Sequence, residues 1–121
     1  MSVRFVSRSI HAYLDYPVAF ALMALPFALG LGASNPLALW LSVVTGAAAF
    51  VLTVFTDHHL GVWRVLPYKF HQAVDLTVGI IFIVAPGLFG FGGIDAQFYW
   101  INGAAVVAVI SLKMEEEGAI A

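Results

Sequence analysis

A chain of 121 residues has room for one domain, and 62% of these residues are hydrophobic against 10% charged, with a mean hydropathy of +0.97. A soluble domain of this size must cover its surface largely with polar side chains, so the composition excludes a soluble protein and requires a lipid bilayer as partner. A net charge of -2 without any basic stripe excludes nucleic acid, and the lack of cysteine excludes disulfides, thiolate ligands and thiol catalysis.

In chain order, residues 1–10 form a short basic lead carrying Arg4 and Arg8. It has the pattern of a signal n-region, and 31–33 could pass as a cleavage site. His11 and Asp15 recur in the second half of the chain, however, and a removable leader has no reason to copy the mature protein. The lead is therefore expected to stay with the membrane domain.

Four apolar segments follow, at 16–32, 36–55, 74–92 and 98–112. A helix needs about 20 residues to cross the hydrocarbon, so each is expected to be a transmembrane helix. The fourth is the shortest and is expected to stand upright or to use Gln97 and Lys113 as ends. The segments pair into two hairpins with tight outer loops at 33–36 and 93–96. Pro36 suits the first turn of its helix. The expected fold class is all-α, a polytopic membrane protein with four transmembrane helices in one domain, 1–121.

The two hairpins are copies. Shifting the sequence by 60 aligns Arg4 with Arg64, His11 with His71, Asp15 with Asp75 and Val18 with Val78. It also aligns Pro26 with Pro86, Gly30 with Gly90, Gly32 with Gly92 and Trp40 with Trp100, eight identities in 37 positions without a gap. Repeat 1 covers about 4–56 and repeat 2 about 64–113, with a connection over about 57–70. Each copy has an even number of spans, so both insert the same way. They are expected to be related by a pseudo-two-fold along the membrane normal.

Charge sets the expected orientation. With four spans, Arg4, Arg8, Arg64, Lys69 and Lys113 all fall on one side, leaving Asp95 as the single charge on the other. The positive-inside rule then makes both termini cytoplasmic, in a bacterial inner membrane. Trp40 and Trp100 fall at equal depth near the outer interface, where indoles favour the headgroups.

Chemistry is concentrated in two H-x3-D elements, His11/Asp15 and His71/Asp75. On a helix, i and i+4 share a face, so each carboxylate can hold an imidazole by one nitrogen. The other nitrogen then remains for haem iron, a divalent metal, a quinone oxygen or a proton. The structural alternative makes Asp15 and Asp75 helix N-caps, with Pro17 in a first turn. Asp57-His58-His59 in the connection matches no zinc spacing and reads as a hydrated loop. Pro26 and Pro86 fall within their spans, and each should bend a helix and leave a carbonyl for a neighbour to satisfy. Ser42, Gly46, Ala49 and Thr53, and likewise Ala104, Ala108 and Ser111, form small-residue stripes suited to close packing within the bundle or against a partner. Asn102 is expected to bond between helices.

Two tandem hairpins, each with a proline in its first helix and an H-x3-D element just before it, resemble the SPW-repeat membrane proteins over roughly 8–112. The name-giving tripeptide reads Leu25-Pro26-Phe27 and Ala85-Pro86-Gly87 here, with the proline retained. The resemblance implies a small bacterial integral membrane protein and carries no activity. With no serine triad, phosphate loop or HExxH motif, the first expectation is a non-enzymatic scaffold or accessory subunit, packing against itself or a larger membrane complex. The alternative is a haem, metal, quinone or proton site on His11, His71, Asp15 and Asp75. A small oligomeric transporter is a third.

Overall fold

The computed structural model describes residues 8–56, 63 and 65–120, with the side chains of 8–13, 68 and 113–120 outside the description. Four helices follow one another: α1 Arg8–Ala28, α2 Pro36–Phe55, α3 Tyr68–Phe89 and α4 Gly93–Ile120. Pro36–Phe55, Lys69–Phe89 and Gly93–Leu112 are long and apolar enough to cross a membrane, and α1 carries a shorter apolar run, Leu14–Ala28. The chain is an all-helical, multi-pass membrane protein. α1 packs along α2 and α3 along α4, as two hairpins in tandem, with far fewer approaches between hairpins.

α1, α3 and α4 all begin before the apolar segments do. Asp15 and Asp75 consequently lie inside helices, so the N-cap expectation is wrong for both. Hydropathy placed the boundaries late because it counts His, Gln and Asp as breaks. Here the Asp15, His71 and Gln72 side chains are buried within the protein, and the helices run on through them. α4 likewise starts within the expected outer loop, which places Asp95 in its first turn.

Pro26 and Pro86 are also displaced from expectation, since they stand in the last turns of α1 and α3. Each opens the same helix ending. Gly30 and Gly90 take left-handed φ values of 67° and 70°. The Leu31 N–H reaches the Pro26 carbonyl at 2.9 Å and the Phe91 N–H reaches the Pro86 carbonyl at 3.0 Å. This is a Schellman-type close, in which the residue after the glycine folds back as an apolar plug. Leu31 and Phe91 are accordingly buried in one shared core. A proline also leaves the carbonyl four residues earlier without its helical donor. For Pro26 that carbonyl belongs to Leu22, and Ser42 Oγ donates to it at 2.8 Å.

Each hairpin crosses at a glycine. A Cβ on Gly46 would lie 2.8 Å from the Ala19 carbonyl oxygen, and one on Gly103 would lie 2.8 Å from that of Gly79. Ala19 and Gly79 are equivalent positions of the repeat, so the first helix of each copy is approached at the same point.

The hairpins meet at the end that carries the two interhelix turns. Tyr99 is fully buried there, with Phe82 at 4.5 Å and Phe91 at 4.9 Å between ring centroids. Its hydroxyl donates to the Ala38 carbonyl on α2 at 2.6 Å. Above it, Asp95 is buried and accepts from the Gly32 N–H at 3.0 Å, the Ser34 N–H at 3.1 Å and the Ser34 hydroxyl. Trp40 and Trp100 are each half exposed on the outer surface at this end.

Away from this clasp the hairpins separate. The chain between them turns back on α2, with the Val65 and Leu66 N–H groups bonded to the Phe55 carbonyl and Trp63 stacked on Phe55. Arg4, Arg64 and the Asp57-His58-His59 run lie outside the described residues.

Candidate functional site

Between the separated hairpins lies a cleft of about 480 Å³, lined by all four helices. That is within the range of small-ligand sites. Its lining pairs equivalent positions across the repeat: Leu14 with Val74, Asp15 with Asp75, Val18 with Val78, Thr45 with Ala105 and Ala49 with Val109. The cleft therefore sits on the approximate two-fold relation of the copies.

Most of the lining is aliphatic, but one end is closed by a polar cluster. His71 is 3% exposed, and its Nε2 stands 3.0 Å from Asp75 Oδ2 and 3.5 Å from Asp15 Oδ2. The Asp75 contact is the i, i+4 pair expected on one helix. The Asp15 contact is new, because α1 sends its carboxylate to the other copy's histidine. The side chain of His11 lies outside the described residues. Separation along the sequence concealed this meeting, since nothing in the spacing of residues 15 and 71 reports how the two hairpins face each other.

Thr56 decides the tautomer, and the sequence offered no signal for it. The residue is fully buried, and its hydroxyl donates to the Leu52 carbonyl at 2.5 Å. A threonine hydroxyl has one hydrogen, so towards His71 Nδ1, at 2.8 Å, it presents a lone pair. Nδ1 therefore carries a hydrogen and donates. In the neutral ring Nε2 is then a lone pair that faces two carboxylate oxygens. Such a set is electron-rich and attracts a cation.

The donor atoms of Asp15, His71 and Asp75 lie within 4.8 Å of one another, close enough to share one ion. Imidazole with two carboxylates is a set that suits zinc, manganese and other first-row divalent ions. Two carboxylates also cancel a double charge, which matters in a membrane interior. The Nδ1–H bond to Thr56 is the outer support that ligating histidines ordinarily have. Haem fits the same atoms poorly, because the one available ring nitrogen is flanked by two carboxylates.

Three further polar residues, Thr45, Thr53 and Asn102, border the cleft. Asn102 does not bridge helices as expected; its Nδ2 donates to the Phe98 carbonyl of its own helix at 2.8 Å. The α2 stripe of Ser42, Gly46 and Thr53 is buried within the protein, whereas Ala104, Ala108 and Ser111 of α4 face outward.

A family model, the SPW repeat domain, matches residues 9–114. No curated protein matches the chain, and no solved structure does.

Proposed function

We propose that this chain, which belongs to the SPW repeat family, is a membrane protein that binds a divalent metal ion at Asp15, His71 and Asp75. One observation carries the reading: carboxylates from both copies of the repeat converge on the nitrogen of a single imidazole, whose other nitrogen is held by Thr56. The cleft provides the ion's way in. The cations near the termini and Lys69 support an orientation with this site towards the cytoplasmic side of a bacterial inner membrane.

The test is metal content and calorimetric titration with Zn²⁺ and Mn²⁺ on detergent-purified protein. One equivalent per chain is expected, lost in His71→Gln and Asp75→Asn and retained in His11→Ala. The reading fails if neither ion binds stoichiometrically, or if all three variants bind as the parent does. Thr56→Val should retain the ion about 10–100-fold more weakly, the usual cost of removing a histidine's outer partner.

A second reading, the accessory subunit, has its own observation. The outward position of Ala104, Ala108 and Ser111 leaves a small-residue face on α4 for another helix, either of a second copy or of a larger complex. Ala108→Leu would break such an assembly in detergent without altering metal content. An unchanged oligomeric state and unchanged co-purifying partners would remove this reading.

A further inference from the structure

The cluster of Asp15, His71 and Asp75 closes one end of the cleft and leaves the remainder unexplained. This remainder is lined by Val18, Ala48, Val78, Ala105 and Val109, with Thr45 and Asn102 at the far end. Along α2 the lining runs from Val44 to Thr53, and along α4 from Asn102 to Ile110, so the cleft is about 13 Å long at the helical rise. A volume of about 480 Å³ over that length accommodates an extended hydrocarbon chain.

The lining also selects against flat rings. The chain contains 10 Phe, 4 Tyr and 3 Trp, yet none of these lines the cleft among the described residues. A quinone or a porphyrin would find no ring to stack on. Branched aliphatic and alanine methyls instead form a smooth wall for methylenes. At the cluster, three protein donors leave coordination positions of a divalent ion open, as in sites that take an exogenous ligand.

We propose that the cleft binds a single-chain aliphatic amphiphile with an oxygen-bearing head, the chain between the hairpins and the head turned to Asp15, His71 and Asp75. The head's attachment rests on the metal reading; the chain's does not.

The experiment uses the full chain in perdeuterated detergent, with dodecanoate as the probe and methyl-labelled alanine and leucine as reporters. Saturable intermolecular NOEs are expected at Ala48 and Ala105, but not at Leu88 on the outer face, which is 72% exposed. They should disappear in Ala105→Phe, and in Ala48→Leu as a milder filling should the first variant fold poorly. Equal NOEs at Leu88, or persistence in both filled variants, would overturn the proposal. Displacement of the probe by a two-chain phosphatidylglycerol as readily as by undecanoate would also overturn it, since the site would then be an ordinary lipid groove. Binding is measured with and without Zn²⁺. Tighter binding with the ion supports the head's position. Chain binding of equal strength in both conditions keeps the cleft and rejects the head's attachment. This arm is read separately from the metal titration, so failure of one reading is not mistaken for failure of the other.

Discussion

Asn35 and Asp95 are the same position of the repeat, and each reaches into the other copy. Asn35 Nδ2 donates to the Phe89 carbonyl at the end of α3, while Asp95 accepts from Gly32 and Ser34 just past the end of α1. Asn35 also caps α2, its Oδ1 taking the Leu37 N–H at 3.0 Å. Ser34 completes the exchange, because its hydroxyl donates to Asp95 and accepts the Gly92 N–H at 3.1 Å. The two helix ends thus satisfy each other across the approximate two-fold.

This clasp should dominate the stability of the contact between hairpins. Asp95→Ala removes a buried acceptor of three hydrogen bonds and leaves the Gly32 and Ser34 N–H groups in want of partners. Hydrogen bonds to a charged group are worth about 1.5–3 kcal/mol each before relaxation, so a loss of at least about 3 kcal/mol is expected. Thermal unfolding in detergent checks it. A double-mutant cycle with Ser34→Ala should show strong non-additivity, since both substitutions remove the same bond.

Ser42 and Pro26 are expected to be coupled. Ser42→Ala leaves the Leu22 carbonyl without its donor and should cost about 1–3 kcal/mol. In a Pro26→Ala background residue 26 regains its N–H, the helix satisfies that carbonyl itself, and Ser42→Ala should cost almost nothing. Equal costs in both backgrounds, read as unfolding midpoints, would show that the serine serves some other purpose.

The glycines should divide by position. Gly46→Val and Gly103→Val set a side chain against backbone oxygen at the hairpin crossings and should cost at least about 2 kcal/mol, within or beyond the usual range for overpacking. Gly87→Ala meets nothing within 4 Å and should be neutral, or stabilising by up to about 1 kcal/mol through helix propensity. Chemical or thermal unfolding of the three variants side by side distinguishes them.

Much of this architecture was legible in the sequence, because the bilayer imposes length and apolarity on every span and the duplication marks equivalent positions. Pro26/Pro86 and Gly30/Gly90 were visible as identities, although their shared task as a helix ending was not. Proline signals a missing donor without saying how far the helix extends beyond it. The polar residues misled in the opposite sense. Asp15 and Asp75 looked like helix starts because a carboxylate in an apolar segment ordinarily marks a boundary, and only a partner makes it tolerable further in. That partner, His71, lies on the same helix as Asp75 and in the other hairpin from Asp15, and was visible by itself. The residue that orients it, Thr56, was not, since a threonine at a helix end has no distinctive spacing.

The clasp at Asp95 and the cluster at Asp15 are joined by one stiff helix. From Ala28 back to Asp15, α1 extends about 20 Å at the helical rise. A tilt of half a degree about the clasp moves the far end by about 0.2 Å, roughly the tolerance within which a metal discriminates between ligand distances. Side chains that never touch the cluster therefore bear on it as a lever does, acting from one end of the hairpin on the spacing of the carboxylates at the other.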